Sequence, residues 1–112
     1  MKVRDMVKTL GLEVLTGEVN LDREVLGGYT SDLLSDVIGN VEEGSAWITI
    51  QRHINILGVA KLKDVPAIII PRGLSLEDQV LAKACEEGVA ILRGSASAFE
   101  LSGLLYKVLE KG

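Results

Sequence analysis

Two short apolar runs limit what this chain can fold into. "PAIIIP" (Pro66 to Pro71) is apolar throughout and bounded by prolines, and "VAILR" (Val89 to Arg93) is apolar up to its closing arginine. A strand apolar on both faces needs cover on both faces, the condition of a parallel sheet held between helices. The surrounding segments supply that cover. "SLEDQVLAKACEEG" places Leu76, Val80, Leu81, Ala84 and Cys85 on one stripe, with Ser75 and Asp78 as a capping-type pair and Gly88 as the stop. "SAFELSGLLYKVLEKG" predicts a closing helix with a Ser97–Glu100 capping box and a buried stripe of Phe99, Leu104, Leu105 and Val108. "AWITIQ" (Ala46 to Gln51) is β-branched and apolar, hence a strand, and "INILGVAKLK" follows at helical spacing. Val3 to Leu10 predicts an opening helix stopped by Gly11. "LEVLTGEV" reads as a strand with a turn at Thr16-Gly17, and "REVLGGY" as a further extended segment. Strand and helix alternate. The expected fold is therefore α/β: a single small domain over residues 1–112, with a mostly parallel sheet, right-handed crossovers and flanking helices.

Composition excludes several partners. The net charge is -4 with acids and bases interleaved, and 4% of residues are aromatic. There is neither the basic face of a nucleic-acid binder nor a base-stacking platform. No apolar run reaches the roughly 20 residues of a membrane span. The first residues, "MKVRDMVKTLGLEV", carry charges where a secretory signal has its apolar core, and one cysteine, Cys85, allows no internal disulfide. The expectation is a cytoplasmic protein with no membrane or nucleic-acid partner.

In a parallel sheet, ligands bind beyond the carboxyl ends of the strands. Three predicted strands end alike: Gln51, Arg52 and His53; Pro71, Arg72 and Gly73; Arg93, Gly94 and Ser95, with Ser97 close behind. If the three strands are neighbours, the arginines gather on one edge, where guanidinium groups suit carboxylate or phosphate. Gly94 and Ser95 add backbone and hydroxyl donors near a helix start. The candidate ligand site is Arg52, His53, Arg72, Gly73, Arg93, Gly94 and Ser95; the plainer alternative is that these arginines pair with surface carboxylates.

Catalysis finds less support. Neither GxxxxGK[ST] nor GxGxxG follows a strand, and no Cys/His spacing suits zinc. His53 is the lone histidine and reads as a capping or packing residue. Cys85 reads as core and Trp47 as packing. No catalytic residue, metal ligand or cofactor is assigned.

"GGYTSDLLSDVIGN" (Gly27 to Asn40) stands apart. With Ser31 at a helix start, Leu33, Leu34, Val37 and Ile38 fall on one side, and Ser31, Asp32, Ser35 and Asp36 on the other. Thr30 or Ser31 would cap the helix, Asp32 would sit in its first turn, and Gly27-Gly28 would form a tight turn. The alternatives are a ligand pocket at the glycine pair, a cation shared by Asp32 and Asp36, or a polar face packed on a second subunit.

That stretch, together with "AWITIQRHINILGVAKL" and "SAFELSGLLYKVL", resembles the DRTGG domain family, in particular its short, stand-alone, hydrogenase-associated members. Its most specific part is the loop bearing Gly27, Gly28, Tyr29, Ser31, Asp32, Ser35 and Asp36. The resemblance implies a small α/β domain similar to the N-terminal domain of HPr kinase/phosphorylase. Related domains lie between CBS domains of regulated pyrophosphatases and in phosphotransacetylases. The family's Asp-Arg position falls on Gln51-Arg52 and its Thr-Gly-Gly on Pro71-Arg72-Gly73. Arg52 and Gly73 are retained; the acid, the threonine and one glycine are not, so the motif's ligand chemistry does not carry over intact. Asp22-Arg23 lies too early to be the named pair. Kinase activity is not implied, since its phosphate-binding loop belongs to another domain. The resemblance implies a non-catalytic regulatory or ligand-sensing module. It would be a homodimer that binds a phosphate-bearing metabolite or nucleotide and modulates a metabolic or redox enzyme. The alternative is a structural oligomerisation domain without a ligand.

Overall fold

The computed structural model describes residues 1–111. Ten elements follow in chain order: α1 (Val3–Leu10), β1 (Glu13–Val14), β2 (Gly27–Thr30), α2 (Leu34–Asn40), β3 (Ser45–Ile48), α3 (Asn55–Leu62), β4 (Ala67–Ile70), α4 (Asp78–Glu87), β5 (Ala90–Arg93) and α5 (Ala98–Lys111). The sheet order is β1-β5-β4-β3-β2. β2, β3, β4 and β5 run parallel, and β1 pairs antiparallel with β5 at one edge. This is the expected α/β architecture.

The apolar runs explain the layers. Ala67, Ile68, Ile69 and Ile70 of β4 are all fully buried. By strand alternation Ile68 and Ile70 join Trp47 and Ile91 under α2, α3 and α4. Ile69 joins Ile48 and Leu92 under α1 and α5. The second face carries small residues in register. Gly28 pairs with Ala46, and Ala67 with Ala90. A Cβ on Gly28 would lie 2.8 Å from Leu105 Cδ2, so α5 rests directly on the backbone of β2.

Local signals hold at several ends. Gly11 and Gly88 close α1 and α4 in the left-handed conformation. The Ser97–Glu100 capping box forms: Glu100 N–H donates to Ser97 Oγ at 3.1 Å, and Ser97 N–H to Glu100 Oε1 at 3.2 Å. Gly17 takes a positive φ of 63° at the predicted Thr16-Gly17 turn.

Other expectations are corrected. Gly27 and Gly28 form no turn; they lie in β2 without a positive φ, Gly28 covered closely by Leu105 of α5 and Gly27 with a Cβ position 3.1 Å from Ser45 Oγ. α2 starts at Leu34 instead of Ser31 and carries no side-chain cap. On it Val37 is buried, whereas Leu33 and Ile38 are exposed. β3 ends at Ile48, short of the predicted Gln51, because Asp32 captures the next residues. α4 begins at Asp78 without a Ser75 cap. Cys85 is exposed on α4, its Sγ 3.7 Å from the Thr16 carbonyl, so it is not a core residue. On α5, Leu101 and Leu105 are buried, while Phe99 and Leu104 face outward. The last residue of that predicted helix, Gly112, lies outside the described residues. Among the described residues no helix is long and apolar enough to cross a membrane.

Gly28 and Gly58 should respond oppositely to added side chains. Gly28→Val forces Leu105 away from the sheet and should cost about 1–3 kcal/mol. Gly58 sits inside α3, and a Cβ added there would meet nothing within 4 Å. Gly58→Ala should therefore gain about 0.5–1 kcal/mol from helix propensity. Urea unfolding of the two variants measures both signs.

Candidate functional site

Because β2 to β5 are parallel neighbours, their carboxyl ends open on one edge of the sheet. Ser31-Asp32 follows β2, Gln51-Arg52-His53 lies beyond β3, Pro71-Arg72-Gly73 follows β4, and Gly94-Ser95 follows β5. The topology therefore brings the three arginine-bearing loops to one edge.

Hydrogen bonding sorts these residues. Arg93 donates from Nε and Nη2 to Glu13 Oε1 at 3.1 and 2.9 Å, and from Nη1 to the Leu74 carbonyl. It ties β1 to the loop after β4 and has little left for a ligand. Gly94 is buried against Leu12 and Leu101, and its N–H donates to the Ile70 carbonyl. Gly73 N–H donates to the Gly94 carbonyl, and Arg72 N–H to the Ala96 carbonyl, both at 2.8 Å. Arg72 and Gly73 form a left-handed pair with φ of 57° and 62°, which turns the Arg72 side chain into solvent. Ser95 is exposed beside them.

Arg52 is held differently. Its Nη1 donates to the Ser75 carbonyl at 2.8 Å and its Nε to the Ile50 carbonyl at 3.3 Å. These neutral acceptors fix the guanidinium, and among the described residues no carboxylate forms an ion pair with it, although Glu77 lines the same cleft. Of the five arginines, Arg4, Arg23 and Arg93 form ion pairs with carboxylates among the described residues. The other two, Arg52 and Arg72, both lie on the carboxyl edge. Arg52 and His53 line an open cleft of about 530 Å³ with Ile50, Gln51, Ser75 and Glu77. His53 Nδ1 accepts the Asn55 N–H at 3.3 Å, the capping geometry expected of a lone histidine after a strand. No described group of three or more His, Cys, Asp or Glu residues is arranged to hold a metal.

The Gly27–Asp36 segment borders this edge. Asp32 Oδ1 accepts from Thr49 Oγ1 and from the Ile50 N–H, each at 2.8 Å. Gln51 Nε2 donates to the Asp32 carbonyl at 2.9 Å. The Trp47 indole N–H donates to the Ser31 carbonyl at 2.9 Å, giving a fully buried indole its partner. Ser31 Oγ accepts the Leu33 N–H, and Ser35 is exposed on α2. Tyr29 Oη donates to Asp36 Oδ2 at 2.7 Å, tying α2 to β2. That bond, helped by Ser31 and Asn40, holds the Asp36 carboxyl below its ordinary value, and it raises the Tyr29 hydroxyl. Asp32 and Asp36 thus have separate partners. The sequence places Asp32 on a polar helix face, but its bonds to Thr49 and Ile50 depend on strand neighbours that no local pattern reveals.

Comparison with known proteins bears on this arrangement. No family model matches the chain. HPr kinase/phosphorylase of Enterococcus faecalis is 30% identical over a 126-residue alignment that covers 98% of this chain and 40% of that protein. The same enzyme from Streptococcus uberis is 33% identical over 63 residues, covering 56% of this chain and 20% of the relative. The chain thus spans less than half the length of these curated relatives. The CBS and DRTGG domains of the regulatory region of Clostridium perfringens pyrophosphatase, solved with the activator diadenosine tetraphosphate, superpose with a TM-score of 0.67. That match has 15% identity and covers 93% of this chain and 45% of the other. The chain has the fold of a DRTGG-like domain. The fold therefore agrees with the resemblance carried by its sequence segments.

Two substitutions probe the segment. Asp32→Ala removes a charged acceptor shared by a hydroxyl and a backbone N–H, and should cost about 1–3 kcal/mol in thermal or urea unfolding. Tyr29→Phe should lower Tm at neutral pH. The folded Asp36 value lies below its unfolded one, so its contribution is complete above the ordinary carboxylate range, about pH 4, and is lost as pH falls through the lowered value. The gap in Tm between Tyr29→Phe and wild type should accordingly narrow below about pH 4.

Proposed function

We propose that this DRTGG-like domain is a non-catalytic regulatory module that senses an anionic small molecule at the carboxyl edge of its sheet. The ligand class is a phosphate-bearing metabolite or nucleotide, and the regulated target is a metabolic or redox enzyme. The observation that carries this reading is the pairing pattern of the arginines. Among the described residues Arg52 and Arg72 have no carboxylate partner, they follow adjacent strands, and Arg52 is held by carbonyls on the wall of a cleft. A rigidly held guanidinium without an ion-pair partner suits a phosphate or carboxylate oxygen pair. His53 is placed to add a donor, and Ser95 and the Gly73 turn border the site. Arg93 serves here as a brace, through Glu13, and Gly94 as a close-packing position. The pyrophosphatase regulatory region solved with a nucleotide activator supports the same ligand class.

A catalytic reading has less behind it. The His53 ring nitrogen that faces the chain caps Asn55, and the hydrogen bonds of the cleft supply no carboxylate to orient the ring. A second, ligand-free reading, in which the domain only holds an oligomer or partner together, is favoured by the exposed Phe99 and Tyr106 on α5.

A thermal-shift series with inorganic phosphate, mononucleotides, diadenosine tetraphosphate and sugar phosphates separates the readings. At a hundredfold excess over Kd, a ligand that binds only the folded state stabilises it by about 2.7 kcal/mol. For a domain of this size that raises Tm by about 10 °C. Arg52→Ala and Arg72→Ala should each reduce the shift, and the double variant should abolish it. Equal shifts in wild type and double variant would remove the site from this edge; no shift with any compound would favour the ligand-free reading.

A further inference from the structure

The cleft beside Arg52 carries both signs of charge. Arg52 and Glu77 line it together and, among the described residues, form no ion pair with each other. Each is occupied by neutral partners. Arg52 donates to the carbonyls of Ile50 and Ser75. Glu77 Oε2 accepts from Gln79 Nε2 at 2.9 Å. Glu77 stands at the N-cap of α4, yet its side chain makes no capping hydrogen bond, and Oε1 has no partner among the described residues. Two residue steps separate Ser75, which holds Arg52, from Glu77, a span of at most about 7 Å. One small molecule therefore reaches both charges.

That pairing of charges sets a condition on the ligand. A molecule that is only an anion gains Arg52 and is repelled by Glu77. A molecule that also carries N–H donors turns the repulsion into hydrogen bonds to a charged acceptor. The other polar groups sort the same way. His53 Nδ1 accepts from the Asn55 N–H, so Nε2 carries the ring proton and donates. Gln51 Nε2 is spent on the Asp32 carbonyl, which leaves its Oε1 as an acceptor. Ile50, 40% exposed, and Leu76 add an apolar wall. The volume of about 530 Å³ falls in the range of small-molecule sites. A sugar phosphate has no N–H to offer Glu77. A free amino acid has both charges but little surface to set against Ile50 and Leu76. A nucleotide has an anion, a planar ring and, on some bases, an edge of N–H donors.

We infer that Glu77 selects the base of the ligand, and that the ligand is a guanine nucleotide. This inference rests on the anion site proposed above. Guanine sets its ring N1–H and its exocyclic amino group side by side. A carboxylate accepts such a pair in parallel, as it does from a guanidinium. The bond from Gln79 uses one of the roughly four lone-pair sites of the carboxylate, so the pair still has room. Adenine offers no such pair: its N1 is an acceptor and would face the carboxylate lone pair to lone pair. In this arrangement the phosphate takes Arg52 and His53, the purine lies along Ile50 and Leu76, and the base edge meets Glu77. Glu77 is thus a specificity residue, and Arg52 supplies the attraction common to all phosphates.

Isothermal titration in EDTA with GMP, IMP, AMP and ribose 5-phosphate reads the selection. Wild type should bind GMP about tenfold or more tighter than AMP or ribose 5-phosphate, the effect of one or two hydrogen bonds to a charged acceptor. IMP, which lacks the exocyclic amino group, should fall between. Glu77→Gln keeps an oxygen for the Gln79 amide and removes the charge. It should weaken GMP about tenfold and tighten ribose 5-phosphate. A purely structural residue would move both ligands in the same direction. Arg52→Ala should weaken every phosphate. Equal, Arg52-dependent binding of GMP and ribose 5-phosphate overturns the base selection and leaves the anion site standing. A GMP preference that survives Glu77→Gln, or that appears only with added magnesium, overturns it as well. Binding of none of the four compounds, or equal binding by wild type and Arg52→Ala, removes the anion site and this inference with it.

Discussion

A methyl group has no room at Gly28. Leu105 Cδ2 of α5 lies 2.8 Å from the position a Cβ would take, and Leu109 lies next to it. This contact decides where α5 rests. The small residues Ala46, Ala67 and Ala90 lie on the same face, and Gly94 lets the turn before the helix close on Leu12 and Leu101. The helix therefore lies over the last strands of the sheet instead of beside them. It covers β2 from above, and the lateral edge of β2 is left bare. The close packing on this face follows from the missing side chain at Gly28, whereas the edge is open because, among the described residues, no further strand pairs with β2.

The carboxyl edge is ordered by a different logic. A sheet edge that carries Asp32, Arg52, Arg72 and Arg93 could have neutralised itself by direct pairing. It does not. Asp32 is turned back to the end of β3, where it accepts from a hydroxyl and a backbone N–H. Arg93 reaches the other way, to Glu13 on the antiparallel edge strand. Asp32 and Glu13 are thus committed elsewhere, and Glu77, which lines the cleft, accepts from Gln79 and forms no ion pair with Arg52, whose hydrogen bonds go to carbonyl oxygens. Carbonyl partners hold a guanidinium in place without cancelling its charge, which is the condition a resident anion site needs.

How much of this was legible follows the range of each interaction. The isoleucine run of β4, the capping box at Ser97 and Glu100, and the glycine stops at Gly11 and Gly88 act within a few residues, and their patterns translate directly. Strand neighbours and the gathering of Arg52, Arg72 and Arg93 follow from alternation and parallel topology. The failures are all long-range. Gly27-Gly28 looks like a turn because the element that covers Gly28, α5, is distant in sequence and invisible locally. Asp32 fits a helix start, but Thr49 and Ile50 bind it more strongly than an unformed first turn could. Phe99 and Leu105 both fit an apolar stripe on α5; only the sheet beneath selects Leu101 and Leu105 and leaves Phe99 in water. Cys85 shares the stripe of Val80 and Ala84 but sits at its margin, where α4 turns from the sheet.

The end of β2 and the cleft are joined by one short segment. Ser31 and Asp32 follow Thr30 without a break, and Asp32 bonds Thr49, Ile50 and Gln51, of which Ile50 and Gln51 line the cleft beside Arg52. The position of Gln51 beside Arg52 is thus set by a residue that follows the neighbouring strand, which is why Asp32 belongs to the architecture of the cleft wall although it faces no ligand there.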